Sequence, residues 1–293
     1  MSHSAVLWRA ALGVVFGFVG ATGAAGQSSS PLGTVPDAAP AQDTVRLAPD
    51  GAVHLSDTHE GTITVTTWER DRLAYRIAPV SAEDSMVASN AIVRRTDQGF
   101  SIDQDGASWS LHIPGLLRIS PSAGGNLAAH YHVTMPETAT LEIEDYASTI
   151  DVSGVEGDVE IDTHAGTVAV DSVDGMLDLG AHSGRITATG IRGGVALDVF
   201  SGDASVAFET LSAPSTAEIH SGTLRFFLPA EAGFTLQTDL DSTGLVVDEA
   251  FGPPSSNDKG RAFNGGGPTL ALDAPPGAVT VHPLKAREAV DQP

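Results

Sequence analysis

The chain has 293 residues and is strongly acidic, with 37 aspartate and glutamate residues against 15 lysine and arginine residues, a formal charge of −22 and no cysteine. A surface with this charge repels nucleic acid and anionic lipid headgroups. Without cysteine, the chain has no disulfide framework and no thiolate metal site. We therefore expect no nucleic-acid partner and a fold that depends on packing alone.

The first 26 residues have the pattern of a secretory signal peptide. Arg9 precedes an apolar run over residues 10–19, and the segment ends with the small residues Ala24, Ala25 and Gly26. The run is shorter than the roughly 20 apolar residues of a bilayer span, so we expect cleavage before Gln27 and no membrane span afterwards. The sequence thus predicts an exported chain in the periplasm, at the cell surface or outside the cell.

The remaining chain divides by composition into three parts. Residues 27–43 are rich in Ser, Pro and Ala without an apolar period, which predicts a disordered linker. We expect one β domain over residues 44–284 and a disordered tail over 285–293.

An internal repeat gives the strongest indication of fold. Four units without gaps begin at residues 141, 159, 177 and 195, which are 18 residues apart, and residues 141–212 are the most regular part. A fixed period this short, with alternating apolar stretches, is typical of a strand solenoid. The sequence predicts an all-β, single-domain parallel β-helix with coils of about 18–22 residues and less regular coils towards the N-terminus.

Each repeat predicts two short strands separated by a corner. In the first unit Leu141 and Ile143 face inward, whereas Tyr146 and Ser148 face water. Glycine then marks the corner of each following unit, because a tight turn favours a residue that tolerates positive φ. Further on, residues 251–267 are predicted as a loop, and a last coil contains Leu270, Leu272, Val279 and Val281.

These features resemble a bacterial family of exported or membrane-attached proteins, DUF4097, whose members are often labelled adhesins. The resemblance depends on "GTITVTTWERDRLAYRI", "YHVTMPETATLEIE", the recurring Ser-Gly corners and "NGGGPTLALDAPPGAVTV". It implies a single-domain β-helix at the cell surface or in the periplasm. It implies no catalytic residues.

The repeat also predicts an exposed ladder of rings, because residues one unit apart stack on the outer wall. Three interpretations are open: contact with a ligand or partner, a shared Zn²⁺ or Cu²⁺ ion, and simple stacking. The ladder consists of Tyr146, His164, His182, Phe200 and His220.

Two acidic columns are predicted beside the ladder. The first contains Glu142, Glu160 and Asp178, and we consider it a candidate site for Ca²⁺ or Zn²⁺ as well as a solvated acidic face. The second contains Glu144, Asp162 and, after a gap, Asp198. The glycine-rich pattern of calcium-binding β-rolls is absent from the sequence.

The leading functional prediction is a non-catalytic exported β-solenoid that contacts a surface, a polysaccharide or a protein, without a cofactor. No nucleophile motif or phosphate loop indicates an enzyme. The alternatives are an envelope scaffold that associates through its terminal coil and a glycan-processing β-helix enzyme.

Overall fold

The computed structural model describes residues 41–58, 60–80, 92–95, 99–103, 128–238, 244–257 and 260–284. The predicted signal peptide, residues 27–40 of the predicted linker and the predicted tail lie outside these ranges. The described residues contain no helix with the length and apolar character needed to cross a bilayer.

The described residues form strands and one short 3₁₀ helix, which confirms the prediction of an all-β chain. The strands near the N-terminus are β1 (Ala41–Arg46), β2 (Ala52–Thr58), β3 (Gly61–Trp68), β4 (Arg72–Pro79), β5 (Ile92–Arg95), β6 (Gly99–Asp103), β7 (Ala129–Pro136), β8 (Thr140–Asp145) and β9 (Thr149–Val155). The central strands are β10 (Val159–Val173), β11 (Met176–Ile191), β12 (Gly194–Phe208) and β13 (Ser215–Leu228). After β14 (Phe234–Thr238) and β15 (Leu245–Val247) come the 3₁₀ helix (Glu249–Phe251), β16 (Ser255–Asn257), β17 (Gly260–Phe263), β18 (Thr269–Asp273) and β19 (Val279–Pro283).

The central strands pair in parallel with the register that the repeat predicts. Val159 pairs with both Leu141 and Leu177, and Leu177 pairs with Val195. Each of these offsets is 18 residues, so equivalent side chains of successive units lie next to each other. These inward side chains belong to one continuous buried cluster.

Each central strand bends at a glycine corner, where the alternation of buried side chains changes phase. In β10 the inward residues are Ile161 and Thr163 before the corner, and Val168 and Val170 after it. Gly166, at the corner, has φ +146°, a backbone conformation that favours glycine. We call the sheet side before the corner face A, and the side after it face B.

The corner corrects one detail of the predicted first unit. Ser148 was expected to face water but is only 2% exposed. It occupies the corner that Gly166 occupies one unit later, and its backbone N–H donates to the buried Asp145 carboxylate at 2.7 Å. The change of phase at the corner, which simple alternation does not predict, turns this residue inward.

The glycine corners stack at very short range. A Cβ atom on Gly184 would overlap the carbonyl oxygen of Gly166, and the same relation holds for Gly202 over Gly184 and for Gly222 over Gly202. The second corner of each unit shows a similar approach of Gly193 to the carbonyl of Gly175. The spacing of the units therefore requires glycine at both corners, and at Gly184, Gly202 and Gly222 the positive φ requires it as well.

The units at both ends do not stack in chain order. On face A, β2 lies between β6 and β8, and on face B, β3 lies between β7 and β9. At the other end, β18 lies between β13 and β14, and β19 lies between β13 and β15. The coil predicted as the last is thus the last in sequence but is not the outermost in space.

Antiparallel strands cover the two ends, so the sheet is mixed rather than purely parallel. Towards the N-terminus β4 pairs with β7 and β1 pairs with β4, while β5 pairs with β6. Towards the C-terminus β17 pairs with β14 and β16 pairs with β17.

Two predicted boundaries differ from the structure. The domain was expected from residue 44, but β1 begins at Ala41. The predicted loop 251–267 contains β16 and β17. Phe263 of β17 stacks on Phe234 with 4.9 Å between ring centroids, and the burial of these rings orders a segment whose composition favours a loop.

We predict that Gly184→Ala destabilises the protein by at least about 2 kcal/mol, because the new methyl group meets a backbone carbonyl at a strained φ. Gly277→Ala is the matched control, since Gly277 also has positive φ, +82°, but has nothing within 4 Å of its Cβ position. The control should lose only about 1–2 kcal/mol. Urea unfolding measures both values, and equal losses would show that the close stacking is unimportant.

Candidate functional site

The predicted ladder of rings is present on face A. The ring centroids of successive members lie 4.9, 4.7, 4.8 and 4.9 Å apart, and the ring planes are within 9° of parallel. Register explains this order, because each ring lies two residues before a corner in its own unit or, for Tyr146, at the equivalent position. The members are Tyr146, His164, His182, Phe200 and His220.

The ladder presents ring edges to solvent, because the ring faces point at one another. Tyr146 and Phe200 are about half exposed, at 50% and 49%. Ring edges carry the partial positive charge of the C–H and N–H groups. The exposed groups are therefore C–H edges, imidazole nitrogens and one phenol, and a ligand cannot lie flat on any ring between two others.

The predicted acidic columns run parallel to the ladder. Glu160 pairs in register with Glu142 and with Asp178, and all three are exposed. The second column begins with Glu144 and Asp162, skips a side chain at Gly180, and continues through Asp198, Glu218 and Asp273. On face A of β8 and β10–β13, no outward position is lysine or arginine.

Crowding changes the acidity of this face. Partial burial, followed by repulsion from Glu142 and Asp178, raises the pKa of Glu160 above its ordinary value. The pKa of Asp162 is raised by partial burial and then by Asp178 and Asp198, and burial with repulsion from Asp198 raises the pKa of Asp178. Face A therefore keeps carboxylates together at a cost in free energy.

An open groove of about 650 Å³ lies between the ladder and the second acidic column. Its floor includes Asp145, Thr163 and Ala181. At Gly180 the acidic wall is interrupted, and the Asp162 carboxylate occupies the space where a side chain would begin. A neighbouring depression of about 530 Å³ extends the same face past Glu218 and Asp273.

The floor of the groove contains a buried carboxylate. Asp145 is 9% exposed and accepts hydrogen bonds from the backbone N–H of Ser148 at 2.7 Å and from the Thr163 hydroxyl at 3.2 Å. Burial, with a contribution from Asp145, raises the pKa of the enclosed Tyr131 hydroxyl. Asp145 thus stabilises the first corner below the ladder.

No pattern in the sequence predicts that His54 lies on face A. His54 of β2 pairs in register with Glu142, and its Nδ1 lies 2.9 Å from the Glu142 carboxylate. An imidazole nitrogen of His54 and one carboxylate oxygen from each of Glu142 and Glu144 lie within 4.8 Å of one another. His54 lies outside the 18-residue period, so only the position of β2 beside β8 brings it here. The predicted metal role of the Glu142, Glu160 and Asp178 column stays a prediction.

No known family model matches the chain, and neither does any curated protein. The resemblance to DUF4097 therefore stays a prediction. The chain is similar to the solved structure of a proposed cell adhesion protein from Clostridium sporogenes, with a TM-score of 0.34, 12% identity, and coverage of 84% of this chain and 100% of that chain. A proposed adhesin from Bacteroides fragilis gives a TM-score of 0.32 at 9% identity, covering 86% of this chain and 100% of that chain. TM-scores this low carry no conclusion about this chain.

We predict that stability rises as the pH falls from neutral through the raised folded-state pKa values of three face A carboxyls. The carboxyls of Glu160, Asp162 and Asp178 have raised pKa values in the folded state, so between their unfolded and folded pKa values the folded chain binds more protons. Stability is consequently lost as the pH rises through that window. Urea midpoints at several pH values measure this.

The triple variant Glu160→Gln, Asp162→Asn, Asp178→Asn should have a higher midpoint at pH 7 and a flatter pH profile in this window. Glu231→Gln, an exposed position in the turn after β13, is the single-charge control. Added salt should reduce the difference between the triple variant and the parent, because it screens exposed charges. A triple variant with the same pH profile as the parent would show that these three carboxyls do not cause the pH dependence.

Proposed function

We propose that this chain is a non-catalytic, exported β-solenoid of the adhesin type, which holds an extended partner on face A. The observation that carries the proposal is the open groove between the ladder and the second acidic column. A ring recurs at each unit and a carboxyl at each unit except at Gly180, so the groove offers similar contacts about every 4.8 Å. A repeated set of contacts suits a polymer better than a single small molecule.

The solenoid is supported by the parallel 18-residue register of β8 and β10–β12 and by the stacked glycine corners. In this architecture the terminal strands and their antiparallel partners cap the repeating central units. The terminal units of repeat proteins have the same role. The DUF4097 resemblance in the sequence implies the same architecture and an adhesin-like role.

Charge favours a partner that carries repeated amines. Partial burial and then repulsion between neighbouring carboxyls raise the pKa values of Glu160, Asp162 and Asp178. Positive groups placed between the carboxyls remove this repulsion and form charge-assisted hydrogen bonds. The imidazole edges across the groove add hydrogen bonds to hydroxyl groups, so a cationic polysaccharide fits both walls.

A scaffold role is a second candidate, because β15 has an exposed apolar side chain. Val246 is 54% exposed, and β15 pairs with β19 among the described strands. A free strand edge can pair with another chain. Sedimentation analysis of the parent and of Val246→Lys tests this role, which would require an oligomer that the substitution weakens.

We predict that chitosan oligosaccharides bind the chain, and that fully acetylated chitin oligosaccharides and alginate bind much more weakly. Affinity should fall as salt increases, since the contact is largely electrostatic. Asp198→Asn and His182→Ala should each weaken binding by about tenfold, equivalent to about 1.4 kcal/mol. Calorimetry measures the affinities.

The matched control is Asp171→Asn, which removes the same charge from an exposed position on face B and should bind like the parent. If Asp198→Asn and His182→Ala bind the oligosaccharides as tightly as the parent protein, this groove is not the binding site. Release of new reducing ends from any oligosaccharide would instead favour the glycan-processing alternative and end the non-catalytic proposal.

Export has its own test. If residues 1–26 are a signal peptide, the protein recovered from the native cells should begin at Gln27 by mass spectrometry of its N-terminal peptide. A mature chain that retains residues 1–26 would contradict the proposed location.

A further inference from the structure

We propose that His54, Glu142 and Glu144 form a binding site for a divalent transition-metal ion. This site goes beyond the proposed function and does not depend on it. It differs from the predicted column of Glu142, Glu160 and Asp178, because it uses an imidazole from a strand outside the repeat.

The strand pairing places these three residues together. β2 and β8 are adjacent and parallel, and His54 lies directly opposite Glu142. Glu144 is two residues further along β8 and therefore projects from the same side of the sheet. The three ligand atoms lie within 4.8 Å of one another. Zinc binds imidazole nitrogen and carboxylate oxygen at about 2.0–2.2 Å, so small side-chain rotations bring all three atoms to one ion.

Two of the three proposed ligands, His54 and Glu142, are already in contact without an ion. The Nδ1 to carboxylate distance is 2.9 Å, which is a hydrogen-bond distance when the Nδ1–H donates to the carboxylate. An ion in the place of that hydrogen would take both groups as ligands. The His54 side chain is 27% exposed and that of Glu142 is 48% exposed, which leaves room for water or a partner group on the ion.

A separate observation next to His54 also indicates a missing polar partner. Ser101 of β6 lies opposite His54 on its other side, so the two residues share one side of the sheet. Ser101 is only 6% exposed, and its hydroxyl has no hydrogen-bond partner among the residues that the structure describes. A buried hydroxyl without a partner is unfavourable, and a water ligand on an ion at His54 would supply one.

The ligand types select the ion. One imidazole nitrogen with two carboxylates suits Zn²⁺ and its neighbours in the first transition series, whereas Ca²⁺ prefers six to eight oxygen ligands. The acidic columns of face A attract any cation, so charge alone does not distinguish these ions, and the test depends on His54.

The experiment is a calorimetric titration of the chelator-treated chain with ZnCl₂ at pH 7. We expect one ion per chain, bound more tightly than Ca²⁺. His54→Ala and Glu144→Gln should each weaken Zn²⁺ binding by at least about tenfold. Asp178→Asn alters the competing column of Glu142, Glu160 and Asp178 and should not abolish binding. The charge control is Asp171→Asn, at an exposed position on face B, which should leave the affinity within about twofold.

Zinc X-ray absorption of the complex should show one imidazole ligand, and this ligand should be absent in His54→Ala. If His54→Ala does not fold, Glu144→Gln, at an exposed position, decides the question. Binding that survives the loss of His54 or Glu144, binding abolished by Asp178→Asn alone, Ca²⁺ bound as tightly as Zn²⁺, or no binding at millimolar Zn²⁺ would each overturn the proposal.

Discussion

The register of the central units depends on the contact between backbones at the stacked glycine corners. At Gly184, Gly202 and Gly222 the carbonyl of the preceding unit occupies the space that a Cβ atom would need. No other residue type satisfies both this contact and the positive φ of the corner. Since the corners cannot shift relative to one another, they set the register of the strands on both sides, and every column of side chains in the central units depends on that register.

The columns explain the chemistry of face A. A fixed register places like side chains beside like, which allows five rings to stack within 9° of parallel. The same register places carboxylates next to one another, and partial burial together with their repulsion raises the pKa values of Glu160, Asp162 and Asp178. Stacked rings are a favourable consequence of the repeat and crowded acids are an unfavourable one. A cation bound beside these carboxylates would reduce their repulsion and would therefore stabilise the folded protein.

The sequence predicted the central units well, because the 18-residue period places chemically similar residues at equal intervals. The ring ladder from Tyr146 to Phe200 and the Glu142, Glu160 and Asp178 column follow from that period alone, and His220 joins the ladder once a two-residue insertion is allowed. The ends were not predictable in this way. The place of β2 between β6 and β8 depends on packing between segments far apart in the chain, so His54 could not be joined to Glu142. The strand at Phe263 was missed for a related reason, since its order comes from contact with Phe234 and its own composition favours a loop.

The turn between β12 and β13 shows which part of the unit can change in length. The turns before β11 and β12 have two residues each, at 174–175 and 192–193, whereas this turn spans residues 209–214. The register here grows by two residues to 20, with Ser201 opposite Ser221, yet Phe200 and His220 remain stacked at 4.9 Å. The extra length is accommodated at this bend and leaves the ring ladder of face A unchanged. The bend at 209–214 is therefore the natural position for a fluorescent label or an inserted epitope tag, and it gives evolution a place to add loops while the surface is preserved.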